Sequence, residues 1–247
     1  MATLLLDFDS TLIRCESLET LFELQVQNQN QNQNQNQTKK SSEKTVGTDP
    51  MIFSTLGTLL NDVKKITQAG MEGKISFSES LKLRLKLISP TPQAIQIFTK
   101  TPENYLTPGV KKFINTLQTK YKNIDIWIIS GGLVEVIKPF AAYLNIPEKN
   151  IRGITGIFKK NNFQPDLSNP FFHSKVEGCR SLAAQWKSPT ISIGDGITDY
   201  ALYENHLADY FFPYTEHIER SFVKAKNLTP VPNMTDLANA LHPILSR

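Results

Sequence analysis

Cysteine is scarce in this 247-residue chain: Cys15 and Cys179 share no CxxC or Cys/His spacing, so neither a disulfide framework nor a zinc site is expected. Both thiols read as reduced. Long hydrophobic runs are missing too. No apolar stretch approaches the roughly 18 residues of a membrane span, and Met1-Ala2-Thr3-Leu4-Leu5-Leu6 meets Asp7 too soon to form a secretory core. The expectation is a cytoplasmic protein without a membrane partner. Charge of one sign is also lacking, because 27 Lys+Arg against 23 Asp+Glu leave only +4. The basic residues are scattered or in short pairs such as Lys64-Lys65 and Lys111-Lys112, too diffuse for a nucleic-acid partner. The chain contains no GxxxxGK[ST] phosphate loop, GxGxxG, GxSxG elbow or HExxH. Its histidines, His173, His206, His217 and His242, never fall at i, i+4 with an acid between them and read as incidental.

What is present is an ordinary globular composition, 40% hydrophobic and 20% charged, which suits one domain or one domain with an insert. Thr3-Leu4-Leu5-Leu6 followed by Asp7-Phe8-Asp9-Ser10-Thr11 reads as a buried strand ending in an acidic, hydroxyl-rich turn. A helical pattern from Glu16 carries Leu18, Leu21 and Phe22 and runs into an alternating Gln/Asn tract. Such a tract has nothing to bury against its ordering entropy, so disorder is expected over about 25–50. Helical order resumes over residues 51–68. Ser76-Phe77-Ser78-Glu79 offers a capping box for a helix through Ile88, ended before Pro90 and Pro92. On that helix Phe77, Leu81, Arg84 and Ile88 share a face, so a guanidinium stands on an apolar stripe and needs an anion to meet.

Beyond residue 100 the pattern alternates. Pro108-Gly109-Val110 opens a helix to about Lys120; Ile124–Ile129 is a strand closed by Ser130-Gly131-Gly132; a helix over 134–144, a hairpin over 154–163 and a helix after Lys175 follow; Thr190–Ile193 ends in Gly194-Asp195-Gly196. Alternating strands and helices predict an α/β fold, a Rossmann-like parallel sheet whose site lies at the carboxyl ends of its strands. The helical stretch 15–100 reads as a cap inserted after the first strand, leaving residues 1–14 and 101–247 as the core.

Three strand ends then supply Asp7 and Asp9, Ser130, and Asp195 with Asp199, and Lys175 precedes the last of them. Singly each has a bland reading: Asp9 or Asp199 as a helix cap, Gly131-Gly132 as a turn, Lys175 as a solvated charge. Carboxylates gathered at one sheet edge raise one another's pKa and imply a bound cation; an all-oxygen cluster suits Mg²⁺.

Asp7-Phe8-Asp9-Ser10-Thr11, Ile128-Ile129-Ser130-Gly131-Gly132, His173-Ser174-Lys175 and Gly194-Asp195-Gly196-Ile197-Thr198-Asp199 resemble the four ordered motifs of the haloacid dehalogenase superfamily of phosphohydrolases. Within it the chain is most similar to the phosphoserine phosphatases: Glu16 lies nine residues after Asp7, Met71-Glu72-Gly73 is followed by Phe77 and Arg84, and Leu106-Thr107-Pro108-Gly109-Val110 precedes Ile-Ile-Ser-Gly-Gly. The resemblance implies Asp7 as nucleophile, Asp9 as acid and then base, and Mg²⁺ held by Asp7, the Asp9 carbonyl and Asp195. It assigns Ser130, the Gly131 amide and Lys175 to phosphoryl oxygens, with Asp199 positioning Lys175 and Thr198 lining the site. For L-phosphoserine, Arg84 takes the carboxylate, Glu16 the ammonium, and Met71 and Phe77 the apolar wall.

The alternatives are a phosphatase or phosphotransferase for another small phosphorylated metabolite, phosphoethanolamine or phosphocholine, and a non-catalytic binding protein. The chain departs from the pattern at Leu133, which stands where the family usually has Phe, in the length between Glu16 and Met71, over Phe163–His173 and over Tyr210–Tyr214. With the first strand beginning the chain, no N-terminal regulatory domain is expected.

Overall fold

In this computed structural model the backbone is described for residues 1–38 and 50–246, and side chains are described except for 29–38 and 50–56. Strand β1 (Ala2–Leu6) is buried at all five positions. Such a strand can sit only in the middle of a sheet covered on both faces. Four helices follow it: α1 (Ser17–Thr38), α2 (Pro50–Met71), α3 (Phe77–Leu87) and α4 (Pro92–Thr99). Next come α5 (Val110–Lys120), β2 (Ile124–Leu133), α6 (Val134–Tyr143), β3 (Ile151–Ile154), and a hairpin of β4 (Gly156–Lys159) and β5 (Asn162–Pro165). The chain closes with α7 (Lys175–Arg180), β6 (Thr190–Gly194), α8 (Ile197–Glu204), β7 (Tyr210–Pro213), α9 (Ser221–Ala225) and α10 (Met234–Leu245).

The main sheet has the order β3-β2-β1-β6-β7 and every pairing in it is parallel. This is the Rossmann-like architecture expected. Because β1 has β2 on one side and β6 on the other, the order reverses there, and ligands of open α/β sheets bind at the carboxyl ends of strands at such a point. Register makes this concrete: Leu6 pairs with both Ile128 and Ile193, and the Asp7 amide donates to the Ile193 carbonyl at 2.9 Å. Asp7, Ser130 and Asp195 therefore reach one edge. A register shift between Ile129 and Leu133 opens β2 around Ser130-Gly131-Gly132.

Helices α1 to α3 form a cap over that edge, and their starts explain their placement. The Ser76 hydroxyl accepts from the Glu79 amide at 3.2 Å, capping α3 and burying Phe77, Leu81 and Arg84 on one face. α4 packs against α1 and also against α6. Its Phe98 lies 4.4 Å from the Tyr105 ring and 5.3 Å from the Phe140 ring, inside the core cluster.

The Gln/Asn tract differs from its expected disorder as far as it is described: α1 continues helical to Thr38, and residues 39–49 lie outside the described residues. The reason is local. Leu18 and Leu21 are buried at the base of α1, and Gln25 grips the α3–α4 turn, donating to the Ser89 carbonyl and accepting from the Thr91 amide, both at 3.1 Å. From an anchored base each further residue adds one hydrogen bond without a new nucleation cost, and Gln is a good helix former. Two strands also lie outside the sequence expectation. β3 belongs to the main sheet rather than to the hairpin beside it, and the aromatic Tyr210–Pro213 forms the edge strand β7. Cys15 and Cys179 are free thiols. Among the described residues no helix is long and apolar enough to cross a membrane.

Candidate active site

Asp7 leaves β1 with its carboxylate accepting from the Phe8 amide at 2.7 Å, at the head of the tight Phe8–Leu12 turn. Lys175 opens α7, whose Ser174 cap accepts from the Glu177 amide at 3.0 Å, so the start of that helix aims the lysine at the sheet edge. Its Nζ lies 2.7 Å from Asp7 Oδ1 and 2.6 Å from Asp199 Oδ1. Asp199, at the start of α8, also accepts from the Gly196 amide at 3.2 Å. Gly194 is required here, because a Cβ would run into the Asp199 carboxylate. Burial works against the Lys175 charge, yet Asp199 and Asp7 outweigh it and hold the ammonium above its usual range. For Asp199, burial and then Asp7 raise the carboxyl well above its ordinary value.

Asp9 has no such cation. The Ser17 amide donates to its Oδ1 at 2.9 Å and the Ser17 hydroxyl to its Oδ2 at 3.0 Å. Burial, then Glu16 and Asp7, push its carboxyl well above the usual range. That environment suits a group that carries a proton and delivers it. Ser130 is buried, and its hydroxyl accepts from the Gly132 amide at 2.9 Å.

Nine of the residues singled out in the sequence line one enclosed cavity: Asp7, Asp9, Met71, Phe77, Arg84, Ser130, Gly131, Lys175 and Thr198. Leu18 lines it as well. About 10 Å³ of free room remains, close to one water molecule. The Phe77 ring lies directly over Gly131, where an added Cβ would come within 2.5 Å of it. Arg84 is 4% exposed, and its Nε has no hydrogen-bond partner among the described residues, nor does the buried Thr198 hydroxyl. Burial lowers the Arg84 pKa, with Glu16, Asp9 and Glu19 opposing.

Glu16 and Asp195 stand outside that lining. Glu16, assigned by resemblance to a ligand ammonium, has Oε1 accepting from the Ser10 hydroxyl at 2.9 Å and from Arg220 Nη2 at 3.1 Å, while Oε2 is buried without a partner among the described residues. Arg220 is the residue that no motif announced. It lies in the loop after β7, is 4% exposed, and grips Asp195 Oδ2 through Nε at 2.8 Å and Nη2 at 2.7 Å. Burial raises the Asp195 carboxyl to about 7 even though Arg220 pulls it down. The same loop carries His217, whose Nε2 lies 2.8 Å from the Thr107 hydroxyl; Thr107 in turn donates to the Thr11 carbonyl at 2.7 Å. That histidine, read as incidental, braces the turn after Asp7. Leu133 is buried in the core and does not line the cavity.

One carboxylate oxygen each from Asp7, Asp195 and Asp199 lie within 4.8 Å of one another, all buried. A buried, all-oxygen, anionic donor set fits a hard divalent cation.

Fold and site together define a hydrolase. Residues 1–206 match the haloacid dehalogenase-like hydrolase family, and the chain belongs to it. Among curated proteins it is similar to the phosphoserine phosphatase of Rattus norvegicus, 30% identical over 168 residues, covering 66% of this chain and 72% of that one. It is 29% identical to the phosphoserine phosphatase of Drosophila melanogaster over 65% of this chain, and that match spans 60% of the fly protein. Among solved structures it is similar to a phosphoserine phosphohydrolase-like protein from Francisella tularensis, with a TM-score of 0.81 and 37% identity over 98% of this chain and 100% of that one.

Proposed function

We propose that the protein is a Mg²⁺-dependent phosphoric monoester hydrolase that converts L-phosphoserine to L-serine and phosphate through an aspartyl-phosphate. Labour divides between a core of residues 1–14 and 101–247, which carries the chemistry, and a cap of 15–100, which selects the ligand and excludes water. The observation that carries the reading is the enclosed cavity itself, with buried Lys175 and Asp7 in its lining and buried Arg84 reaching it from the cap. A small ester with phosphate and carboxylate complements that charge pattern. The names of the relatives point the same way.

In the reaction an Asp7 carboxylate oxygen bonds to phosphorus as the phosphorus–alkoxide bond breaks, and the departing oxygen takes the proton held on Asp9. Asp9 then removes a proton from water, whose oxygen attacks phosphorus and releases Asp7. Lys175, Ser130 and the Gly131 amide hold the remaining phosphoryl oxygens, and Asp199 orients Lys175 at 2.6 Å. Mg²⁺ would be held by Asp7, Asp195 and the Asp9 carbonyl, with Asp199 beside them, and would neutralise phosphoryl charge. Arg84 meets the carboxylate, Met71 and Phe77 the carbon chain, and Thr198 the phosphate end; Glu16, outside the lining of the closed cavity, keeps an unpaired Oε2 that would answer the ammonium. Phosphoethanolamine and phosphocholine would leave Arg84 buried without an anion, which disfavours them. A cytoplasmic location belongs to the same reading.

The test is phosphate release by purified protein across a panel of small phosphomonoesters, with Mg²⁺ and with chelator. Highest kcat/KM on L-phosphoserine, lost on chelation, is expected. Preference for an ester lacking a carboxylate would withdraw the substrate, and no release on any ester would withdraw the chemistry.

A further inference from the structure

We infer that Leu18 confines the site to phosphate esters of primary alcohols by filling the space beside the carbon that bears the leaving oxygen. This rests on the phosphatase reading above. Leu18 is the second residue of α1, 4% exposed, and belongs to no motif, yet it lines the cavity. Three apolar side chains reach that lining, and each is placed over a different part of the sheet edge. The Phe77 ring covers Gly131 near the end of β2, and the Met71 sulfur covers Gly196 after β6, 3.0 Å from where a Cβ would stand. Leu18 is tied to the end of β1, because the preceding residue, Ser17, grips both carboxylate oxygens of Asp9 at 2.9 and 3.0 Å.

That tie decides which part of a ligand Leu18 meets. A group protonating the leaving oxygen must lie within hydrogen-bond distance of it, and the carbon bearing that oxygen is one bond further. The apolar side chain next to the Asp9 clamp therefore borders this carbon. Met71 is unbranched and adapts its shape, whereas Leu18 is branched and held at the start of a helix. The closed cavity leaves about 10 Å³ free, so any ester is admitted only as the lining shifts, and a methyl branch at that carbon adds to the displacement asked of Leu18. Rejecting one extra methyl in an apolar pocket is worth roughly 10- to 200-fold.

Two matched pairs test this with the full chain and Mg²⁺: L-phosphoserine against L-phosphothreonine, and glycerol 1-phosphate against glycerol 2-phosphate. The second pair also sets a primary against a secondary ester, with a hydroxymethyl rather than a methyl as the branch, and carries neither carboxylate nor ammonium. In wild type the primary ester of each measurable pair should be favoured at least about tenfold in kcat/KM. Leu18→Ala should shrink that preference at least about tenfold through a gain on the secondary ester, and Leu18→Val should shrink it less. If Leu18→Ala does not fold, Leu18→Val decides on the same ratios. A wild type indifferent to branching, a folded variant with unchanged ratios, or equal losses on both members of a pair would each overturn the inference. Collapse of the glycerol phosphate ratio with no turnover of phosphoserine would uphold Leu18 and remove the phosphoserine reading. A wild type inert on all four esters would overturn both.

Discussion

The two walls of the cavity solve opposite problems. On the core side acids share cations already present: Lys175 serves Asp7 and Asp199, and, outside the lining, Arg220 serves Asp195 and reaches Glu16 at the start of the cap. On the cap side Leu18, Met71 and Phe77 are apolar, and Arg84 presents an Nε without a partner among the described residues. The core wall pairs Asp7, Asp199 and Asp195 with cations of the chain and still keeps a donor set for a divalent cation, whereas the cap wall leaves its one charge, Arg84, for what it binds. Substitutions in the first should therefore cost chemistry or stability on every ligand, and substitutions in the second should change which ligand is used.

Asp7→Asn probes the core wall most sharply. Turnover should vanish while the far-ultraviolet spectrum and melting profile persist, since under the proposed chemistry the carboxylate would act as nucleophile and metal ligand rather than as packing. Phosphate release within about tenfold of wild type would take Asp7 out of that role.

Arg220→Ala should come next, because it strands the buried Asp195 without its cation and removes one from the partly buried Glu16, a change that typically costs about 3–5 kcal/mol. A denaturant titration of metal-free protein measures it, and Arg220→Lys should recover part of the loss. No destabilisation in the alanine variant would mean that the core wall is not held by its cations.

On the cap side, Arg84→Ala should lose about 1.5–3 kcal/mol on phosphoserine, roughly 10- to 150-fold in kcat/KM, and much less on phosphoethanolamine. Equal losses on both would place Arg84 with the structural cations and erase the contrast between the walls.

The smallest effect is expected at Glu19, whose buried carboxyl is raised above its ordinary value of 4.5 by burial and then by Glu16. A raised folded pKa means that the native state binds more protons, so this group's contribution to stability falls as pH rises above that value. Glu19→Gln should flatten the decline in melting temperature above pH 4.5 without moving the phosphoserine-to-phosphoethanolamine ratio.

What the sequence disclosed follows the same divide. The strand ends were legible because short apolar strands followed by fixed polar residues leave little freedom: Asp7, Ser130, Lys175 and Asp195 fall where the pattern puts them, and Ser76 caps α3 as read. The chain beyond α8 was opaque. β7 is four residues of mixed exposure, and Arg220 is one arginine in a loop with no periodicity, reaching Asp195 from 25 residues away and Glu16 from 204. Only three-dimensional proximity makes it part of the site. Leu18 was visible merely as one member of a helical stripe, since its special position depends on Ser17 folding back onto Asp9. The helical Gln/Asn segment escaped for the opposite reason: composition weighs what a stretch can bury, and here the anchor sits at Gln25, before most of the repeat.

A chamber with so little spare room also imposes a timetable. Under the proposed chemistry, the alcohol just released and the water that must attack the phosphorylated aspartate compete for one berth. Hydrolysis then has to wait for the alcohol to depart, and any small alcohol that returns first takes the phosphoryl group back. Partition between water and alcohol then follows how much of each reaches the berth, so added serine becomes a handle on a step that ordinary turnover measurements conceal.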